Sequence, residues 1–169
     1  MSLYEVVLGQ SILDHALICQ RYFFPRDERA PRPCDVEVNG HTLRCVHEVF
    51  DKRWPTLLYF HGNGEVVADY VPDFVTLMKQ LCFNVFLAEY RGYGGSGGEP
   101  ALVAMLDDVE ALAAATGVAP EQLIIFGRSI GSLYAIELAS KLPNAAGLII
   151  ESGIANLLER ILLRASPQE

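Results

Sequence analysis

Four short runs constrain this chain more than anything else in it: "TLLYF" from residue 56, "FNVFLAE" from 83, "QLIIFG" from 122 and "AGLIIES" from 146. Their apolar residues follow one another without alternation. A strand with one wet face alternates, whereas a strand covered on both faces does not. Between the runs lie helical patterns over residues 65–81, 101–115 and 131–142. Strands alternating with helices predict crossover connections and a parallel sheet covered on both sides, so the fold class is α/β. Pro143-Asn144 stops the third of those helices.

Upstream the pattern changes. "CDVEVNGHTLRCVHEVF" is a pair of alternating runs about Asn39-Gly40, a two-residue hairpin signal, so the sheet opens with an antiparallel pair. Before it, residues 3–20 read as a short amphipathic helix, and "FFPRDERAPRP" as an extended, proline-punctuated linker. At the other end, Ile154, Leu157, Leu158, Ile161 and Leu162 recur at helical spacing and predict a last helix with one face to bury. The reading is a single domain over residues 1–169, with 1–33 as its N-terminal helix and linker.

Composition narrows the function. A net charge of −8 argues against a nucleic-acid partner or an anionic membrane surface, since both need a basic face. The stretch "RDERAPRP" interleaves its arginines with acids and prolines and reads as solvated. Cys19, Cys34, Cys45 and Cys82 lack metal-ligand spacing and form no disulfide framework; they read as small hydrophobes in a reducing compartment. The first residues have no basic leader, and Asp14 and His15 interrupt their apolar stretch, so neither a signal peptide nor a membrane span is expected. The expected location is the cytoplasm, with no metal and no organic cofactor.

The chemistry points to Gly127-x-Ser129-x-Gly131. A serine between a buried strand and a helix sits on a strained turn that exposes its hydroxyl, and the glycines let neighbouring backbone approach. The N–H of Ile130 would face a developing oxyanion at a helix N-terminus. "YFHGNGE" turns from a strand into a helix and supplies a second donor, the N–H of Asn63. If Asn63 acts through its backbone, Asn63→Ala should matter little and Gly62→Val should distort the turn. His61 lies in that turn and reads as a brace rather than a general base; His15, His41 and His47 read as surface or structural residues. "EYRGYGGSGGEP" lacks the Gly-Lys-Ser/Thr ending of a phosphate loop and reads as a brace for the site, with Arg91 pairing a buried acid.

Taken in order and spacing, "LLYFHGNGE", "FLAEYRGYGGSGG", "IIFGRSIGS" and "GLIIESG" resemble the α/β-hydrolase superfamily. The branch most resembled is the serine hydrolases with an H-G-N turn and a Y-R-G-Y-G-x-S loop, related to depalmitoylases and lipid hydrolases. The resemblance covers residues from about 22 to 158 and implies a three-layer sandwich with an eight-stranded sheet. It also implies hydrolysis of an ester, thioester or amide through an acyl-enzyme, by a Ser-Asp-His triad. Ser129 matches the nucleophile, and Asn63 and Ile130 match the oxyanion donors. In that family the acid and the histidine follow the serine on the next two strands; past Ser129 this sequence has no aspartate and no histidine. Six strands are expected here, with the last two missing. Glu151, at the end of "GLIIES", is a substitute acid or, on the stronger reading, a bracing group. The alternative function is a catalytically inactive binding or assembly domain. Self-association is expected, through the bare edge of "AGLIIES" or through the last helix, because an unprotected strand edge recruits other strands.

Overall fold

A computed structural model describes residues 11–157. Helix α1 (Ala16–Tyr22) follows a single 3-10 turn (Ile12–Asp14). His15 separates the two, its Nδ1 accepting from the N–H of Leu17 at 3.3 Å. The expected helix over 3–20 is thus broken at His15 and runs on to Tyr22, because an imidazole that caps one helix cannot sit inside a longer one; residues 3–10 of that expectation lie outside the described residues.

Strands β1 (Cys34–Val38) and β2 (His41–Glu48) form the hairpin. Asn39 and Gly40 have φ of 49° and 79°, the paired positive values that a two-residue turn needs to match the twist of its strands. The remaining strands and α-helices are β3 (Thr56–Phe60), α2 (Phe74–Gln80), β4 (Asn84–Ala88), α3 (Val109–Ala115), β5 (Leu123–Arg128), α4 (Gly131–Lys141) and β6 (Gly147–Glu151), with 3-10 turns at Val67–Asp69, at Ala104–Asp108 before α3 and at Pro120–Gln122. The sheet order is β1-β2-β4-β3-β5-β6, with β3, β4, β5 and β6 parallel and β2 joined antiparallel to β4. The mixed six-stranded sheet is the expected class.

Every residue of β3 and β4 is buried, as their unbroken apolar runs require. Their two faces serve different cores. Leu58, Phe60, Phe86 and Ile125 pack with Tyr134 and Leu138 of α4 and Leu112 of α3. Tyr59, Val85 and Leu87 pack with Val75 of α2, and with Phe74 and Met78 behind it. β6 departs from this pattern: Leu148, Ile149 and Ile150 are 44%, 45% and 40% exposed. It has β5 on one side only, so its apolar run lacks a neighbour among the described residues. Of the expected last helix, only the start at Leu157 is described; the rest lies outside the described residues.

Candidate active site

The turn after β5 carries Ser129 at φ 52°, a left-handed conformation that costs a non-glycine residue about 1–3 kcal/mol unless its surroundings hold it. They do. Its N–H donates to the carbonyl of Glu151 at 2.9 Å, and its own carbonyl accepts from the N–H of Ser132 at 3.0 Å and the hydroxyl of Ser132 at 2.6 Å. The Ser132 hydroxyl in turn accepts from the N–H of Ile154 at 3.1 Å. The glycines are there for room. A Cβ on Gly127 would lie 2.6 Å from the Ala135 Cβ and 2.7 Å from the Ser132 Cα. A Cβ on Gly131 would lie 2.6 Å from the carbonyl carbon of Phe60 and 2.7 Å from the carbonyl oxygen of His61. The Gly-x-Ser-x-Gly spacing therefore lets the head of α4 rest directly on β3 and β5. Ser129 itself is partly exposed.

Facing the elbow, the turn after β3 carries residues 61–65. The N–H groups of Asn63 and Ile130 have no intramolecular acceptor among the described residues, which leaves both available to an oxyanion. His61 is fully buried: Nδ1 lies 2.8 Å from the Gly62 carbonyl and Nε2 lies 2.7 Å from Glu89 Oε1. A carbonyl can only accept, so Nδ1 carries a proton toward Gly62. Glu89 also accepts from the N–H of Val67 at 3.0 Å and of Tyr90 at 3.1 Å. Both ring nitrogens are committed, and His61 is a brace.

The side chain of Asn63 corrects the expectation that it is dispensable. Its Oδ1 accepts from the N–H of Phe24 at 3.0 Å and from the Tyr93 hydroxyl at 2.9 Å, while its Nδ2 donates to the Tyr22 carbonyl. It thus clamps the segment after α1 to the turn. Gly62 does behave as expected, since a Cβ there would lie 2.8 Å from both Arg128 Nη1 and Glu65 Oε2.

The loop after β4 braces the same turn. The Tyr90 hydroxyl donates to the His61 carbonyl at 2.8 Å. Arg91 pairs with buried Asp108 through two bonds of 2.7 and 2.5 Å, as expected of it. Burial pushes the Tyr90 and Tyr93 phenols well above the ordinary range, so both stay protonated donors.

Two charged residues escaped the sequence reading. Glu65 Oε2 accepts from the N–H of Gly62 and from the Tyr70 hydroxyl, each at 2.6 Å, and its Oε1 pairs with Arg128 Nη1. Arg128 also places Nε 3.2 Å from Glu151 Oε1. The Glu151 carboxylate is thus placed as a partner of Arg128, and its carbonyl holds Ser129. The spacing Gly-x-x-Glu in "HGNGE" was the available signal for Glu65, the spacing at which a carboxylate folds back on a turn N–H. Among the described residues no group of His, Cys, Asp and Glu is disposed to hold a metal, and no helix is long and apolar enough to cross a membrane.

The family model of the serine aminopeptidases, S33, matches residues 52–165, which takes in the turn after β3, the turn at Ser129 and β6. The chain belongs to that hydrolase family. Relatives of the S33 chain include human alpha/beta hydrolase domain-containing protein 17B, 36% identical over 98 residues that make up 56% of this chain and 34% of the relative. The 17C protein of Xenopus laevis is 35% identical over the same share of this chain and 32% of its own length. The chain therefore spans about a third of the length of these relatives. Among solved structures, the predicted CIB-like hydrolase of Thermoplasma acidophilum superposes with a TM-score of 0.64 at 21% identity, over 78% of this chain and 67% of that one. Epoxide hydrolase A of Mycobacterium thermoresistibile does so with a TM-score of 0.57 at 25% identity, over 72% and 39%. The α/β-hydrolase fold of the S33 member is shown by these superpositions.

Proposed function

We propose that the chain carries the nucleophile and oxyanion hole of a serine hydrolase, acting on an ester, thioester or amide through an acyl-enzyme. The observation that carries this reading is Ser129 held at φ 52° between β5 and α4, opposite two unengaged backbone donors, the N–H groups of Asn63 and Ile130. Attack by the Ser129 hydroxyl on an acyl carbon would place the resulting oxyanion against those donors. In this reading the base is a histidine that is not one of the four in this sequence, and the triad's acid comes with it. Glu151, paired with Arg128, serves the elbow as a brace in this reading.

The test is turnover of a short p-nitrophenyl ester with and without added imidazole, which replaces a missing base. Slow turnover, raised by imidazole in the wild type but not in Ser129→Ala, is expected. Removing a triad member leaves about 10³–10⁴-fold acceleration over water. Identical rates for the two proteins under both conditions would favour the alternative, an inactive binding or assembly domain.

Self-association is proposed on the exposure of Leu148, Ile149 and Ile150 along the single-sided strand β6. Chromatography with light scattering should report a dimer; a monomer at high concentration would refute it. A cytoplasmic location is proposed on the spacing of the four cysteines. Protein isolated under alkylation should carry four modified thiols, and a disulfide would overturn that assignment.

A further inference from the structure

Arg128 and Glu65 lie outside the reacting groups, yet together they join the two halves of the proposed oxyanion hole. Arg128 immediately precedes Ser129 and lies two residues before Ile130, one donor of the pair. Glu65 closes the turn that presents Asn63, the other donor, by accepting the Gly62 N–H at 2.6 Å. The two side chains pair directly, Nη1 to Oε1. On its far side the guanidinium reaches Glu151 of β6 at 3.2 Å. The carbonyl of Glu151 holds the Ser129 N–H at 2.9 Å. One arginine thus spans the carboxyl ends of β3, β5 and β6.

An exposed ion pair by itself contributes little. This one is fixed on the carboxylate side, because Glu65 Oε2 also accepts from the Tyr70 hydroxyl at 2.6 Å, and that hydroxyl accepts from Tyr59 at 3.0 Å. Both phenols are pushed up by burial, Tyr59 to about 12, and remain donors at neutral pH. With Glu65 immobilised from behind, the position of Arg128 sets where the Gly62-Asn63 backbone stands relative to the elbow.

We infer that Arg128 and Glu65 are positioning residues that set the separation of the Asn63 and Ile130 N–H donors. The inference rests on the serine hydrolase reading for its functional consequence, though not for its structural one. An oxyanion donor removed outright costs about 10²–10³-fold in rate. A donor displaced rather than removed should cost less, about tenfold.

Two measurements on the whole chain separate the outcomes. In the first, amide exchange by NMR compares wild type with Arg128→Gln and Arg128→Lys. The Gly62 N–H should exchange at least several-fold faster in Arg128→Gln and by an intermediate amount in Arg128→Lys, with Leu58 and Ile125 in the paired strands unchanged. An unchanged Gly62 rate overturns the inference, whatever the chemistry of Ser129. Should Arg128→Gln fail to fold, Glu65→Gln and Arg128→Lys give the same readout. In the second, with imidazole added as the base, the rate of phosphonylation by a fluorophosphonate is followed by intact mass at rising ionic strength. The expectation is a slower reaction in Arg128→Gln at unchanged probe affinity. The wild-type rate should also fall with salt while the variant's does not, because salt screens a partly exposed pair. Equal rates and equal salt dependence overturn the functional half of the inference. Labelling that persists in Ser129→Ala refutes the nucleophile assignment instead and leaves the exchange result standing.

Discussion

The same substitution at two glycines should have opposite effects. At Gly131, the first residue of α4, alanine is intrinsically the better helix former by at most about 1 kcal/mol. Its Cβ, however, would lie 2.6 Å from the carbonyl carbon of Phe60 and 2.7 Å from the carbonyl oxygen of His61. Real Cβ atoms do not approach backbone so closely, so the helix must lift from the end of β3. Overpacking costs about 1–3 kcal/mol; against backbone this close the upper part of that range, about 2–3 kcal/mol, applies and leaves a net destabilisation of about 1–2 kcal/mol. For a chain of this length 1 kcal/mol moves the melting temperature by about 2–4 °C, so Gly131→Ala should melt about 2–8 °C lower. At Gly147, in β6, a Cβ meets nothing within 4 Å. There alanine should stabilise by about 0.5–1 kcal/mol, because glycine in a strand loses the most backbone entropy on folding. Thermal denaturation followed by circular dichroism measures both. Equal shifts, or a Gly131→Ala protein as stable as wild type, would show that the close approach of α4 to β3 does not set the geometry of the elbow.

Asn63→Ala should cost about 1–3 kcal/mol through its three lost partners, and should make Arg21 and Arg26 more susceptible to trypsin; unchanged digestion would refute the clamp. Breaking the Arg91–Asp108 pair with Arg91→Leu should destabilise by about 3–5 kcal/mol, and adding Asp108→Leu should recover much of it, because an unpaired buried charge is the main cost. Urea midpoints of both proteins decide this. His47 packs on Phe86 with a buried, unpartnered Nε2, and burial holds its imidazole below the ordinary value of 6.5. The fold therefore prefers the neutral ring. Stability is complete above about 6.5 and falls as the pH drops below it, since the unfolded chain takes up the proton first. His47→Phe should flatten that loss, and a variant whose urea midpoint falls as steeply as wild type between about pH 7.5 and 5 would refute it.

Much of this molecule was legible as local chemistry. Unbroken apolar runs marked β3 and β4 as strands covered on both faces, Asn39-Gly40 marked the hairpin, and Gly127-x-Ser129-x-Gly131 marked the elbow, because each depends on residues adjacent in the chain. Pairings between distant segments were not legible, or only as a type of partner. Arg91 was expected to find a buried acid, but that the acid is Asp108 follows from where the 3-10 turn before α3 packs. That Glu65 reaches Arg128 across 63 residues depends on β3 and β5 lying side by side, and that the Asn63 side chain meets Tyr93 depends on β3 lying beside β4. The sequence by itself determined the strands, the hairpin and the strained turn at Ser129, since backbone strain and apolar periodicity are properties of short segments. The tertiary structure alone decided what braces them, because a hydrogen bond between loops exists only once the sheet order has brought their strands together.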